Sequence, residues 1–341
     1  MDHEPLHFDK RPPSFVAEDG RVRYAFVTFL MINDGFLPGA VLQAHSLRAM
    51  GTQADIVCMV TEDISGVTIG VLELIFDHVV SIPKIYLKHR KASKQPSLSY
   101  MFTRLNCLRF ASGGGLGLNY EKVVVLDADV LPLKNFDHLF CVAPPAGILN
   151  EKKGHLVQTD ANNKQVVTGE MLEAQEWIWH DRYRDICPHG QPIPKAITDR
   201  VDTHPPNMGI NGSLFVLSPS REEYEGIMED IANPTIRRRV TQEFDWPDMQ
   251  YLTLKWSGRW QNIDVRFSSL NGYPTLDILF GTHFAGLKPW NFNNKSIRHY
   301  AKYEDFRLWH SSFLNMLEAE DALAGFKRFD KLKQHILSLN T

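Results

Sequence analysis

Two carboxylates stand where an apolar run stops: Val123-Val124-Val125-Leu126 is followed at once by Asp127-Ala128-Asp129. Four consecutive apolar residues, three of them β-branched, read as a strand buried on both faces. Burying an ionised carboxylate without a partner is costly. Residues i and i+2 of a strand point the same way, so both acids can converge on one point. At about 5 Å and an effective dielectric near 20 they repel by about 3 kcal/mol, which a divalent cation removes. The competing reading is structural, with Asp127 capping the turn and Asp129 solvated.

Other segments carry residues suited to the same chemistry. His283 closes an expected strand and is followed by Gly286, Lys288, Pro289 and Trp290. Its imidazole can join a metal already held by Asp129, and mixed carboxylate and imidazole ligation suits manganese better than calcium. Gly286 permits close approach of the backbone to a phosphate, and Lys288 places a point charge on it. Asn211, in the run Asn207 to Ser213 that precedes an expected strand, offers an amide with donors and acceptors. Phe244-Asp245-Trp246-Pro247-Asp248 opens a helix, with Asp245 as N-cap and Pro247 in the first turn. Asp245 and Asp248 are three apart, so both can grip sugar hydroxyls from one face; the competing reading is that both acids only cap. The run Gly113-Gly114-Gly115-Leu116-Gly117 has the order helix, glycines, strand, the reverse of a dinucleotide fingerprint, and reads as a helix stop.

The elements that must position these residues alternate. Strands are expected at Arg21–Phe29, Ile56–Val60, Val79–Ile82, Lys122–Leu126, Gly212–Leu217 and near 278–282. Helices are expected at Pro38–Met50, 66–76, Leu98–Phe110, 221–232 and 247–256. This alternation implies an α/β fold, a mostly parallel sheet flanked by helices. Ligands in such sheets sit beyond the carboxyl ends of the strands, where Asn33, Thr61 and Asp127 all fall. Residues 1–20 read as a loose arm and 21–302 as the main domain. Residues 150–206 read as an insertion on the acceptor side with a short helix near 169–182, and 303–341 as a C-terminal helical extension covering the core.

The chain has 341 residues, a formal net charge of -3, 43% hydrophobic and 23% charged residues, an ordinary globular balance. No basic stripe invites nucleic acid, so none is expected as partner. Cys58, Cys107, Cys141 and Cys187 are widely spaced, which argues against a zinc framework. The polar start Met1-Asp2-His3-Glu4-Pro5 and the lack of a long apolar run predict no signal peptide, no membrane span and a cytoplasmic protein.

Taken together, these segments resemble glycosyltransferase family 8, in its glycogenin-like branch, over about residues 22–292. The anchors are Phe29 to Phe36, Leu126-Asp127-Ala128-Asp129, Asn211-Gly212-Ser213-Leu214-Phe215-Val216, Asp245-Trp246-Pro247-Asp248, and His283 to Gly286 with Lys288-Pro289-Trp290. The resemblance implies a GT-A (Rossmann-like) fold and a hexosyltransferase that uses a UDP-sugar, held through Mn2+ or Mg2+, with retention at the anomeric carbon. It assigns the metal to Asp127, Asp129 and His283. It assigns the nucleoside to Leu30, Ile32, Asn33 and Phe36, the last standing where the family often has tyrosine. Arg104 replaces a common lysine near sugar and phosphate. Asn211, Asp245 and Asp248 would hold the transferred sugar, Gly286 and Lys288 the diphosphate, and Ala128 and Gly212 complete the donor-binding set. Asp248, Asp245 and Arg104 are the catalytic candidates, with Asp248 as nucleophile or ion-pair stabiliser.

The chain departs from the family in having Met249 where glutamine is usual and in spacing Gly286 and Lys288 one residue closer. The acceptor, a glycan, protein or small molecule, is left open, and a homodimer is compatible with the family. Competing readings are a self-glycosylating initiator, with Tyr273 as acceptor, and a nucleotide-sugar-binding protein without turnover. A nucleotidyltransferase, which shares a strand-end acidic site, is disfavoured by the Lys288-Pro289-Trp290 segment.

Overall fold

A computed structural model of the chain describes residues 6, 8, 12, 14–150, 158–159, 161, 165–166, 187–203, 207–270 and 276–339. Strands β1 (Tyr24–Leu30), β2 (Asp55–Val60), β3 (His78–Ser81) and β4 (Lys122–Leu126) run parallel. The chain then turns into β5 (Val130–Pro132) and β6 (Ala146–Asn150). Two short strands, β7 (Gln158–Thr159) and β8 (Gln165–Val166), pair antiparallel inside the insertion. They are followed by β9 (Gly209–Leu217), β10 (Gln261–Asn262), β11 (Ser269–Leu270) and β12 (Gly281–His283). The main sheet has seven strands in the order β10-β6-β9-β4-β1-β2-β3, with β9 antiparallel to both of its neighbours. A second sheet, β11-β12-β5, sits beyond the end of β4.

The period of two along each strand sorts side chains into two layers. Phe26, Leu30, Val124, Leu126 and Val216 enter one core, with Leu42 and Leu47 of helix α1 (Leu37–Ala49) and Leu72 of α2 (Gly66–Glu73). Val27, Phe29, Val123, Val125 and Phe215 enter the other. There they meet Ile227 of α3 (Arg221–Ala232) and Leu252 of α4 (Pro247–Lys255). Because both faces are covered, the sheet reads as continuous apolar runs, as the α/β expectation requires.

Several local expectations are corrected. Leu98–Phe110 winds as 3-10 turns, Pro96–Ser99 and Met101–Arg109, instead of an α-helix. Phe102 through Leu108 are all buried, and the Asn106 amide donates to the carbonyls of Pro83 and Thr103, so tertiary contacts override the local period. Strand β9 begins three residues earlier than expected, at Gly209, so Asn211 lies inside it beside Gly212. The N-terminal arm is tied down at Phe15, which is buried against Tyr24 and Phe140, and at Phe8, stacked on His138.

The C-terminal helices α5 (Glu304–Ala319) and α6 (Lys327–Leu337) form as expected. They are not a separate layer: Phe306, Trp309, Phe313, Phe329 and Ile336 belong to the same core as β1. The helix expected near 169–182, with Trp177 and Trp179, lies outside the described residues, as does Tyr273. No helix among the described residues is long and apolar enough to cross a membrane.

Candidate active site

The acidic pair sits in a turn, which corrects the expectation of strand alternation. β4 stops at Leu126, the Asp127 N–H donates to the Ser213 carbonyl at 3.0 Å, and the Val130 N–H closes back on the Asp127 carbonyl at 3.0 Å. The turn then enters β5, which pairs antiparallel with β12 so that His283 faces Val130. The Phe284 N–H donates to the Asp129 carbonyl at 3.0 Å. Register therefore carries the imidazole to the acids: His283 Nε2 is 3.3 Å from Asp129 Oδ1. Asp127, Asp129 and His283 each offer a ligand atom within 4.8 Å of the others.

These groups are short of hydrogen-bond donors. Oδ1 of Asp127, Oδ1 of Asp129 and Nδ1 of His283 are buried without a hydrogen-bond partner. Burial pushes the Asp127 carboxyl up to about 6, with Arg104 opposing and the Asp129 charge adding to the rise. Burial also disfavours the Asp129 charge, but His283 and Lys288 outweigh it and hold that carboxyl below its ordinary value. Two carboxylates and one imidazole with orphaned ligand atoms fit a hard or borderline divalent cation such as Mn2+ or Mg2+.

Two cations of the protein flank the cluster. Lys288 Nζ donates to Asp129 Oδ2, and also to the Phe284 carbonyl at 2.6 Å. The same ammonium lies 5.5 Å from the centre of the Phe36 ring. On the other side Arg104, only 4% exposed, lies 3.1 Å from Asp127 and 3.2 Å from Asp248. It also donates to the Gly212 carbonyl and lies over the Phe29 ring at 4.9 Å. Burial works against its charge, yet Asp127 and Asp248 raise its pKa further, so it stays a cation.

The nucleoside candidates form the turn after β1. Ile32 has φ 74°, a left-handed conformation that is strained for a β-branched residue. Asn33 then accepts from the Gly35 N–H at 2.7 Å and caps the single turn Asp34–Phe36. Leu30 is buried at the strand end, whereas Phe36 keeps 40% of its surface exposed.

Not every candidate converges. Asp245 is no N-cap: its carboxylate pairs with Arg90 and with Lys91 at 2.6 Å. Gln250 caps the helix instead, its Oε1 accepting from the N–H groups of Asp245 and Trp246 at 2.8 and 2.9 Å. Asn211 turns its Oδ1 to the Ser213 N–H within its own strand. Gly286 lies in an exposed turn where an added Cβ meets nothing within 4 Å, so the surrounding protein leaves it room.

No protein-family model matches the chain. Glycogenin-1 of Caenorhabditis elegans is 36% identical over 120 residues, 34% of this chain and 26% of that protein. Glycogenin-1 of Oryctolagus cuniculus is 25% identical over 315 residues, 86% of this chain and 73% of that protein. These similarities support a glycogenin-like, glycosyltransferase family 8 assignment. Its fold matches the glycosyltransferase GlyE of Streptococcus pneumoniae TIGR4 with a TM-score of 0.51 at 10% identity, over 87% of this chain and 63% of that one. The fold is GT-A.

Three site neighbours escape a reading of the sequence. Gln43, 2% exposed in α1, donates from Nε2 to the carbonyls of Asp127 and Val130 at 2.8 and 2.9 Å. A lone amide among the apolar and small residues Leu37–Ala44 was its only signal. Gly39 lets α1 touch the turn: an added Cβ would stand 2.2 Å from the Ala128 carbonyl oxygen and 2.5 Å from Trp290. Arg328 reaches the Asp34–Gly35 turn from α6.

Proposed function

We propose that the protein is a metal-dependent retaining hexosyltransferase that uses a UDP-sugar donor. The observation that carries this reading is the convergence of Asp127, Asp129 and His283, flanked by Lys288 and Arg104, at the carboxyl ends of the parallel strands of a family 8 protein. Asp127, Asp129 and His283 would hold Mn2+ or Mg2+, which supplies Lewis-acid stabilisation of the departing diphosphate. Lys288 leaves Asp129 for the diphosphate and neutralises charge that grows as the bond to the sugar breaks. Phe36 offers an exposed ring face to the base, and the turn Leu30 to Asn33 lines the nucleoside. Asp248, 2% exposed and held by Arg104, is the buried carboxylate available to the sugar as it gains oxocarbenium character. The acceptor hydroxyl attacks on the face the diphosphate leaves and gives its proton to the departing diphosphate, which retains the configuration. Asp245, being held by Arg90 and Lys91, serves the rim of the sugar site.

The test is UDP release from a panel of UDP-sugars, with Mn2+ and with chelator, beside Asp129→Asn. Metal-dependent release from one donor, lost in the variant, is the expected result. A folded protein that binds a nucleotide sugar and neither transfers nor hydrolyses it would overturn the enzymatic reading. Intact mass after incubation with the donor separates self-glycosylation from transfer to another acceptor.

A further inference from the structure

We infer that the C-terminal helices are part of the donor site, with Arg328 as a positioning residue for the nucleoside turn. The inference rests on the donor reading above and adds a residue that the family motifs do not contain. Arg328 Nη1 donates to the Asp34 carbonyl at 2.6 Å, and Nη2 to the Gly35 carbonyl at 3.2 Å. The Gly35 carbonyl also accepts from Trp290 Nε1 at 2.9 Å. The turn that presents Phe36 is thus gripped through its main-chain carbonyls by one side chain from α6 and one from the Lys288 loop.

The Lys288 loop is itself braced by α5. His310 Nε2 donates to the Pro289 carbonyl at 2.8 Å, and Trp290 packs on Trp309 with ring centres 5.2 Å apart. Trp290 in turn meets the Phe36 ring edge-on at 5.9 Å. Both walls of the proposed donor pocket, the aromatic turn and the lysine loop, therefore hang on residues beyond 303. Two carbonyls of one short turn present a fork of acceptors, which matches the planar guanidinium and not the single ammonium of lysine. The turn is three residues long with a strained Ile32 before it; its side chains are tied at Asn33, which accepts from the Gly35 N–H, and at Asp34, which accepts from the Ser65 N–H and hydroxyl at 3.0 and 2.8 Å, while Arg328 and Trp290 hold its main-chain carbonyls.

The experiment compares wild type, Arg328→Met and Arg328→Lys. Losing two charge-assisted bonds to the turn raises the dissociation constant for UDP with Mn2+ by about tenfold. KM for the donor rises with it, while kcat at saturating donor falls less than threefold. Lysine restores part of the affinity through one carbonyl. Hydrogen exchange over residues 33–37 quickens in Arg328→Met, a readout that needs no nucleotide. Unchanged exchange, or unchanged UDP affinity beside a lowered melting temperature, overturns the positioning role. A wild-type protein that binds no nucleotide diphosphate overturns the donor reading instead, and the exchange result then judges the brace by itself.

Discussion

The side-chain amide of Gln43 donates to the main-chain carbonyl of Asp127 at 2.8 Å, across 84 positions of chain. Its second bond, to Val130 at 2.9 Å, spans the same turn, so one helix residue sets the pose of the backbone that carries both acids. Gln43→Leu leaves two buried carbonyls without this donor and removes the clamp. Groups behind metal ligands commonly contribute 10–100-fold to affinity, so Mn2+ binding is expected to weaken by about tenfold. Titration followed by electron paramagnetic resonance checks this. A melting curve run alongside is expected to show a loss of about 1–3 kcal/mol.

Lys288 predicts effects of opposite sign on metal binding and turnover. Its ammonium occupies Asp129, so it competes with a divalent ion for that carboxylate. Lys288→Ala is expected to tighten Mn2+ binding in the absence of nucleotide by a few-fold, on the order of 1 kcal/mol for a partly screened charge pair. The same variant is expected to lower kcat/KM for the donor by about 100-fold, because the departing diphosphate loses its fixed cation. Calorimetry with Mn2+ alone and steady-state kinetics give the two signs separately.

Arg104 is the counter-charge for two acids at once. With Arg104→Met, Asp127 and the buried Asp248 lose their cation, and breaking a buried ion pair typically costs about 3–5 kcal/mol. Arg104→Lys keeps one charge but lacks the fork that reaches both carboxylates and the Gly212 carbonyl, and should fall between wild type and the methionine variant. Urea denaturation at neutral pH ranks the three proteins.

A pH effect is expected far from these acids. His189 stacks on Phe267 at 5.2 Å, and its Nδ1 accepts from the Asp264 N–H at 3.1 Å. Burial lowers its pKa to about 4. The unfolded chain protonates near 6.5 and the folded chain only near 4, so stability is full above 6.5 and falls as pH drops through that window. The loss reaches about 2 kcal/mol by pH 4, since part of the residue stays in water. His189→Gln keeps an acceptor and cannot titrate, so the difference between its stability curve and that of wild type isolates the effect.

What the sequence made legible was local. Asp127, Asp129 and His283 are polar residues closing apolar strands, and such an interruption is visible without a structure. The two-layer sheet was equally legible, because residues such as Val123–Leu126 alternate between cores and leave an unbroken apolar run. What was hidden depends on partners far away in the chain. Asp245 looked like a cap because nothing nearby in sequence reveals Arg90 and Lys91, which claim its carboxylate. The turns at 101–109 looked α-helical because burial on all sides leaves no solvent face to reveal the winding. Nothing beside Arg328 in sequence singles it out, and only the fold sets it against Asp34 and Gly35.

The contacts that finish the site have a temporal consequence. Asp129 meets Lys288 across 159 positions, and Asp34 meets Arg328 across 294. Closing loops of that length carries an entropy cost before any contact repays it, and long-range pairings form slowly. On the ribosome, the acidic turn emerges well before the imidazole, the ammonium and the guanidinium that complete and brace it. A nascent chain that has passed Asp129 but not Arg328 exposes two bare carboxylates and an unheld aromatic turn, so the completed candidate site is among the last features the chain acquires.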